Sequence, residues 1–370
     1  MRNKGNLLHL SLLLTALWSL VATTGCSSKS PPAIPFLNTL TKVNTIASTV
    51  PENGDVNPYG VALIPASSGT LTAGNYLVSN FNNSANLQGT GSTIVQISPS
   101  GTVSLFAQIP KTVVCPGGIG LTTALVALQS GFVVVGSLPT TDGTSATAGA
   151  GCLIVLDSSG SVVQTIVDPN INGPWDMTAR DNGSTASLFV SNVLNGTVAA
   201  NGSVVNNGTV VRVDLSMSGG TPVVSAITVI ASGFPQKTDA SALVIGVTGL
   251  AFDSRNGNLY VADSLSNRIA SIANAATASS SIGSGTTIIS GNGLNDPLGL
   301  TIAPSRNLIA ANGSDGNLVE IDQLAGSQVA IKSVDSSGGT GAGALFGLIT
   351  SSSGVYFVDD ATNTFNLYQP

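Results

Sequence analysis

Short runs of alternating apolar and polar residues, separated by turns rich in glycine and asparagine, recur along most of this chain. The clearest example is residues 249–272, which read G-L-A-F-D-S-R-N-G-N-L-Y-V-A-D-S-L-S-N-R-I-A-S-I. Alternation with a period of two is typical of half-buried strands, and an Asn-Gly pair between two such runs indicates a hairpin turn. The stretch therefore predicts three antiparallel strands joined by short turns.

The same unit recurs five more times along the chain. The positions taken as equivalent at the six repeat starts are Gly60, Gly120, Asp176, Gly249, Gly299 and Gly347. Four short strands per repeat, without a helical pattern between them, predict a β-propeller of six blades. The third unit is the longest because residues 194–207, which are dense in Asn-Gly pairs, indicate an extended hairpin between its second and third strands.

The last repeat, residues 344–370, contains only three strand-like runs. Residues 43–49, V-N-T-I-A-S-T, resemble the fourth strand of the third unit, I-T-V-I-A-S-G at 227–233. An open ring would leave an unpaired strand edge. The fold class is therefore predicted as all-β: a single six-bladed propeller domain at 37–370, with four-stranded antiparallel blades and the last blade closed by an N-terminal strand.

The first 25 residues have a basic start, an apolar run at 7–21 and small residues at the end, which is the layout of a signal peptide. The apolar run is shorter than the roughly 20 residues of a membrane-spanning helix. Gly25-Cys26 resembles the lipobox of bacterial lipoproteins, from which Thr23 departs. The resemblance implies lipidation of Cys26, and Ser27 resembles proteins sorted to the outer membrane. The alternative is an ordinary signal peptide with an incidental cysteine.

This resemblance also implies a location for the mature chain. We expect it outside the cytoplasm, anchored to a bacterial membrane through the lipid alone, with residues 26–36 as a flexible tether. Cys115 and Cys152 would then lie in an oxidising compartment, where an even pair of cysteines predicts a disulfide within the second repeat. Two separately buried thiols are the alternative.

Composition excludes several classes of function. Formal net charge is -6 and no basic run occurs, so the chain lacks the surface that nucleic-acid binding requires. The only histidine, His9, lies in the predicted leader. A histidine-free mature chain excludes Ser-His-Asp and Cys-His catalysis and histidine-ligated zinc. Any acid–base chemistry would fall to Asp, Lys or Tyr, because Glu52 and Glu320 are the only glutamates.

The motifs P-Y-G-V-A, G-L-A-F-D, G-N-L-Y-V-A-D and D-P-L-G-L resemble NHL-repeat six-bladed propellers over about residues 40–370. That resemblance implies a binding platform. Related six-bladed proteins include lactonases, strictosidine-synthase-like enzymes and lyases, so the fold alone selects no function.

The gluconolactonase and regucalcin group places a metal-binding Asp before the Gly at one repeat start. The corresponding residues here are Tyr59, Ile119, Trp175, Thr248, Leu298 and Phe346, none of them a carboxylate. Asp176 is one position displaced. A metal-dependent lactonase is therefore disfavoured, and no cofactor is expected. Calcium, through oxygen ligands, is the one metal that this composition would bind comfortably.

Two sets of residues are candidates for a site at one mouth of the propeller channel. The first set, at the repeat starts, would form an apolar and aromatic pocket, or alternatively pack between blades: Tyr59, Trp175, Asp176, Leu298 and Phe346. The second set ends the second strands and would hold a cation or a sugar, or alternatively cap turns: Asn80, Asn192, Asp263, Asn312 and Asp359.

These observations lead to two main hypotheses. The first is a monomeric binding or scaffold propeller that engages an envelope protein or a small ligand at the channel mouth, without catalysis. The alternative is a histidine-free lyase or hydrolase that uses Asp and a bound cation. A purely structural surface lipoprotein is a third hypothesis.

Overall fold

The computed structural model describes residues 34–217 and 220–370. The predicted signal peptide, Cys26 and most of the tether lie outside these residues, so the lipid anchor stays a prediction. Ile34–Pro370 forms one compact unit. No helix within the described residues is long and apolar enough to cross a membrane.

Six antiparallel sheets make up this unit, and the first strand, β1 (Lys42–Ser48), belongs to the last of them. Blade 1 comprises β2 (Val56–Leu63), β3 (Tyr76–Asn82), β4 (Thr93–Ile97) and β5 (Val103–Gln108). Blade 2 comprises β6 (Leu121–Ala127), β7 (Val133–Ser137), β8 (Cys152–Leu156) and β9 (Val162–Ile166). Blade 3 comprises β10 (Pro174–Asp181), β11 (Thr185–Asn192), β12 (Val205–Ser216), β13 (Val223–Asp239) and the short β14 (Leu243–Ile245).

The remaining blades follow the same plan. Blade 4 comprises β15 (Val247–Asp253), β16 (Asn258–Asp263), β17 (Arg268–Ile272) and β18 (Thr286–Ser290). Blade 5 comprises β19 (Pro297–Ile302), β20 (Leu308–Asn312), β21 (Asn317–Asp322) and β22 (Ser327–Ser333). Blade 6 comprises β23 (Leu345–Ser351), β24 (Gly354–Asp359), β25 (Thr364–Gln369) and β1. Single 3-10 turns occur at Phe36–Thr39, Ser145–Thr147 and Ser337–Gly339.

The predicted fold class is confirmed, including the closing strand. β1 pairs with β25 in an antiparallel register that runs from Lys42 opposite Gln369 to Ser48 opposite Thr364. The sheet that contains the C-terminal strands thereby gains its fourth strand from the N-terminal end of the described chain. This pairing covers the edge of β25 that an open ring would leave without partners.

A buried carboxylate fixes the segment that leads into β1. Glu320 is fully buried and accepts hydrogen bonds from the backbone N–H groups of Phe36 at 2.9 Å and Leu37 at 2.7 Å. The side chains of Ser305 and Asn307 donate to the same carboxylate, at 3.2 and 2.7 Å. Glu320 therefore joins the N-terminal segment to blade 5, a structural role that the sequence did not reveal.

Glycines at the repeat starts of blades 1, 4, 5 and 6 allow the innermost strands β2, β15, β19 and β23 to pack closely against their neighbours around the axis. A Cβ atom on Gly347 would overlap the carbonyl oxygen of Tyr59, and one on Gly299 would overlap that of Phe346. Only a residue without a side chain permits this approach of backbone to backbone. Blade 3 has Asp176 at the corresponding position.

The equivalence of Gly120 with the other repeat starts is wrong. In blade 1, Pro58 lies opposite Asn80 and Gly60 opposite Ser79, so Tyr59 alone has no partner. In blade 2, Leu121 pairs with Ser137 and Leu125 with Val135. The stretch that Tyr59 and Gly60 fill in blade 1 is therefore filled by residues 122–124, and not by Ile119 and Gly120. A bulge with one extra residue lengthens this strand, and Gly120 belongs to the preceding loop.

The extended hairpin predicted within residues 194–207 is also wrong. Most of that segment folds into tight turns, in which Gly196 and Gly202 have positive φ. The long hairpin of blade 3 instead joins its third and fourth strands, β12 and β13, and β13 continues to pair with β14. The Asn-Gly pairs were consistent with turns, and they gave no information on which strands were long.

The predicted disulfide is confirmed between Cys115 and Cys152, whose Cα atoms are 5.6 Å apart. It joins the loop before β6 to the first residue of β8. Both cysteines are buried. The bond therefore restrains the loop that leads into blade 2.

Candidate functional site

A cavity of about 440 Å³ opens on the face where the innermost strands begin; we call it the mouth cavity. Its base contains four residues predicted from the repeat starts, namely Tyr59, Trp175, Leu298 and Phe346. Its polar rim consists mainly of Asn57, Asn82, Asn86, Gln88, Ser241, Asp296, Ser314 and Asp360. The volume is within the range of small-molecule sites.

The base of the mouth cavity is a packed aromatic cluster. The rings of Tyr59 and Phe346 are stacked with centroids 3.8 Å apart, and Trp175 meets Tyr59 edge-on at 5.8 Å. Phe81 stacks behind Tyr59 at 4.5 Å. The first three rings are only 3%, 8% and 3% exposed for Tyr59, Phe346 and Trp175, so most of their surface packs blade against blade. These rings therefore have both of the roles considered for them: they pack between the blades at the centre of the propeller, and they line the mouth cavity.

Asp360 is the carboxylate that this arrangement places against the aromatic base. The Asn57 side-chain amide, oriented so that both of its ends have partners, donates to the Asp360 carboxylate and accepts from Asn82 at 3.0 Å. Burial, and next the negative charge of Asp359, raise the pKa of Asp360 to about 7. Burial, and next the charge of Asp360, hold the pKa of Tyr59 well above its usual range.

A second carboxylate, Asp296, lines the same cavity just before β19. Burial raises the pKa of Asp296, while a long hydrogen bond of 3.5 Å from the Ser314 hydroxyl lowers that pKa. Its backbone has φ of 56°, and its N–H donates to the Asn267 side chain at 2.6 Å. Asp296 was not among the residues predicted for a site. Only its position at the start of the D-P-L-G-L motif could have singled it out.

The residues that end the second strands do not line the mouth cavity, and they are not brought together elsewhere. Their side chains bond within their own surroundings: Asp263 accepts from Arg268 at 2.9 Å and from the Ser266 N–H at 3.3 Å. Asn312 accepts from a backbone N–H at 3.1 Å, as does Asp359, and Asn80 and Asn192 donate to backbone carbonyls. The backbone contacts of Asp263 and Asp359, three residues away in each case, are those of turn caps, whereas Asn80 and Asn312 bond to loops that are more distant in the chain.

A second cavity, of about 500 Å³, lies along the axis; we call it the channel cavity. It is lined by the later residues of the six innermost strands and shares no lining residue with the mouth cavity. Successive residues of one strand divide between the two: Trp175 lines the mouth cavity, and Asp176 lines the channel cavity. The aromatic cluster therefore separates the two spaces, and Asp176 does not belong to the mouth.

Asp176 is a half-buried acid whose carboxylate accepts the Leu250 N–H at 2.7 Å. Burial raises the pKa of Asp176 from its ordinary value of 3.8 to about 7, against the lowering effect of that hydrogen bond. Between these two pH values the folded protein keeps a proton that the unfolded chain has lost. The free energy of unfolding therefore decreases as the pH rises across this interval.

Replacement of Asp176 by Asn tests this burial. We expect the variant to be more stable than the wild type above the pKa of about 7, by on the order of 4 kcal/mol, since one pKa unit corresponds to about 1.4 kcal/mol. Below the ordinary aspartate pKa the two proteins should have similar stability, because Asn also accepts the Leu250 N–H. Denaturant unfolding across this pH range measures the difference, and equal pH slopes for the two proteins would contradict the burial of a charge.

The mouth cavity offers oxygen donors to a metal ion, but few of them carry charge. Asp360 supplies one carboxylate, and Asn57 and Asn82 supply amide groups beside it. Within residues 34–217 and 220–370, no three His, Cys, Asp or Glu side chains are grouped as metal ligands. Tight calcium sites take six to eight oxygens, several from carboxylates. This donor set does not fit such a site, and no chemical step is derived through a metal.

Comparison with known proteins identifies relatives by fold only. No protein-family model matches the chain, and no curated protein matches it. A gluconolactonase from Xanthomonas campestris is 14% identical with a TM-score of 0.53, covering 93% of this chain and 99% of its own. The calcium-binding protein regucalcin from Agrobacterium tumefaciens is 12% identical with a TM-score of 0.53, covering 87% and 93%.

A luciferin-regenerating enzyme is 14% identical with a TM-score of 0.54, and the match covers 86% of this chain and 88% of that enzyme. Identities this low establish the fold and no activity. The NHL-repeat identity is not shown by any of these comparisons and stays a prediction. The chain is a six-bladed β-propeller whose structural neighbours include gluconolactonase and regucalcin proteins.

Proposed function

We propose that the protein is a histidine-independent hydrolase or lyase that acts on a small molecule in the mouth cavity, with Asp360 as its acid–base group. One observation carries the proposal: a half-buried carboxylate with a pKa of about 7 lines a cavity of ligand size. A group that titrates near neutrality accepts and returns protons efficiently at the pH where it works. Such perturbed groups in clefts are concentrated at active sites.

The surroundings of Asp360 suit this role. The Asn57 amide binds its carboxylate and fixes the direction in which the free oxygen lone pairs point. In a hydrolysis, Asp360 would take a proton from water as its oxygen bonds to the carbonyl carbon, and would return the proton to the leaving oxygen as the ester C–O bond breaks. In an elimination, it would take a proton from the substrate carbon as the double bond forms and would return it to the leaving group. No histidine is needed for either step.

The lining of the mouth cavity favours a compact, uncharged substrate. Two carboxylates, Asp296 and Asp360, disfavour anions, while amides such as Asn82 and Asn86 can bind carbonyl and hydroxyl groups. The aromatic base provides contact for an apolar ring. Lactones and esters combine these properties, and a gluconolactonase is among the proteins of similar fold.

The test is a turnover screen with neutral lactones and aryl esters, followed by a pH profile of kcat/KM for the best compound. We expect kcat/KM to rise with pH and to level off above about 7, because Asp360 must be ionised to act as a base. A profile that falls across the same interval would contradict the assignment of Asp360 as the base. Hydrolysis that is lost on adding a chelator would show that a metal drives the reaction instead.

The Asp359→Asn variant gives a second prediction from the same site. The charge of Asp359 raises the pKa of Asp360, so its removal lowers that pKa and moves the rise in kcat/KM to lower pH. Asn can still accept the hydrogen bond that the Thr362 N–H gives to Asp359. The measurement is the pH profile of kcat/KM for the variant and for the wild type, recorded side by side. A shift to higher pH in the variant would exclude electrostatic coupling between Asp359 and Asp360.

The uncharged part of the rim favours a second candidate, a binding propeller without catalysis that engages a small ligand or an envelope protein. Asn82, Asn86, Gln88, Ser241 and Ser314 are recognition groups rather than catalytic ones. This function matches the location proposed from Gly25-Cys26. Mass spectrometry of the protein from its own host tests the location, and an unmodified Cys26 would contradict the lipid anchor.

A further inference from the structure

The channel cavity contains a carboxylate that the proposed reaction does not use. Asp176 stands where blades 1, 4, 5 and 6 have glycine, and it projects a charge where the other innermost strands have none. Among the described residues no ion pair includes Asp176, and no cationic side chain contributes to its pKa. The negative charge thus has no protein counter-ion.

The walls around Asp176 combine aliphatic side chains with polar groups. Leu125, Met177, Leu250 and Leu348 line the channel cavity, together with hydroxyl groups such as that of Thr301.

Only one other titratable side chain lines this cavity among the described residues. Asp181 lies near the opening, and its two oxygens accept backbone N–H groups from Gln129 at 2.6 Å and Gly183 at 2.8 Å. Gln129 is exposed, so the cavity is accessible to solvent on the face opposite the mouth cavity. Asp181 is therefore held by backbone N–H groups, whereas Asp176 is the acid of this cavity that is left to bind a ligand.

A buried charge without a partner is costly, and a cation that pairs with it relieves that cost. One carboxylate among aliphatic walls suits a singly charged nitrogen cation. A divalent metal would need six or more oxygen ligands. The cavity volume of about 500 Å³ accommodates a small organic molecule as well as its charged group.

We infer that the channel cavity is a binding site for a small organic ammonium ion, with the nitrogen on the Asp176 carboxylate and the apolar body against the aliphatic walls. This site is separated from the mouth cavity by the aromatic cluster of Tyr59, Trp175 and Phe346. It is independent of the proposed reaction at Asp360.

The experiment is calorimetric titration of the full chain with hexylammonium at mildly alkaline pH, with hexanol as the uncharged comparison. We expect hexylammonium to bind more tightly than hexanol by about 10- to 100-fold, which is the range of a charge-assisted hydrogen bond. Asp176→Asn should reduce the affinity for hexylammonium to that for hexanol. Asp181→Asn is the matched control, because it removes an equal charge from the same cavity, and it should leave the affinity within about twofold.

Three results would overturn the inference. They are absence of hexylammonium binding at millimolar concentration, unchanged binding by Asp176→Asn, and loss of binding in Asp360→Asn, which would place the ligand in the mouth cavity.

If Asp176→Asn does not fold, the pH dependence of hexylammonium binding by the wild type still tests the inference. Asp176 and Asp181 are the only titratable groups that face this cavity from any described strand. Hexylammonium affinity should fall when the pH is lowered through about 7, in the wild type and in Asp181→Asn alike. A pH-independent affinity would contradict the pairing with Asp176.

Discussion

A chain that begins at Thr49 should fail to fold, whereas a chain that begins at Ile34 should fold like the full-length protein. The shorter chain lacks β1, and it also lacks Leu37 and Leu40, which are 0% and 3% exposed. Burial of each leucine is worth about 2–5 kcal/mol, and the whole protein is stabilised by only about 5–15 kcal/mol. Removal of the segment therefore takes away most of the free energy of unfolding.

The losses extend beyond these apolar contacts. Without residues 34–48 the Glu320 carboxylate loses the N–H groups of Phe36 and Leu37 and is left buried with part of its hydrogen bonding unmet. The Tyr368 hydroxyl loses the Leu40 carbonyl that it donates to at 2.8 Å. The β25 edge also becomes unpaired, which promotes association between chains.

Circular dichroism and size-exclusion chromatography of the two truncated chains measure this effect. The point variant Leu37→Ala refines it, with an expected loss of about 2–5 kcal/mol in the free energy of unfolding. Its control is Thr39→Ala in the same turn, where the exposed hydroxyl bonds only to the nearby Phe36 carbonyl and little should change. A stable monomer starting at Thr49 would show that the ring closes without β1.

Replacement of Asp360 by Asn should reduce kcat by about 10²- to 10⁴-fold, the usual contribution of an acid–base group. The substitution keeps the shape of the side chain and its contact with Asn57 while removing the proton acceptor. KM should change little, because the rest of the mouth cavity remains. Steady-state kinetics on the best compound of the screen measure both constants.

The matched control for this variant is Asp322→Asn. Asp322 accepts two backbone N–H groups in a turn of blade 5 and does not line the mouth cavity, and Asn can accept the same bonds. Its kcat should equal that of the wild type. A rate that survives in Asp360→Asn would contradict the role of Asp360 as the acid–base group, and absence of turnover by the wild type would favour the binding propeller.

Repetition explains why the architecture could be predicted from sequence. Each blade restates the same alternation and turn chemistry, so errors in one repeat are corrected by the other five. The closing strand was predictable for a different reason: a sixth repeat with three strands requires a fourth from elsewhere. The prediction failed in blade 2 because the bulge in β6 shifts the strand register by one residue. Gly120, in the loop before β6, was therefore aligned with the glycines that begin the other repeats.

The candidate site could be predicted only in part. Tyr59, Trp175, Leu298 and Phe346 meet at the mouth because they hold equivalent positions in four blades. Asp360 escaped prediction because its burial depends on Asn57, about 300 positions away in the chain.

The displacement of Asp176 into the channel also required the structure. A register shift between Pro174 and Met177 accompanies the change from a mouth-facing residue to a channel-facing one. Sequence patterns show the face of a strand that is buried, but they do not show which of two cavities an individual residue lines.

The most direct test of the proposed function is a crystal structure of Asp360→Asn soaked with the compound that the wild type turns over fastest. We predict that the intact compound lies in the mouth cavity, with its reacting group within hydrogen-bonding distance of residue 360 and its ring above Tyr59 and Phe346. A compound bound beside Asp176 in the channel cavity, or on the outer surface of the blades, would contradict the proposal.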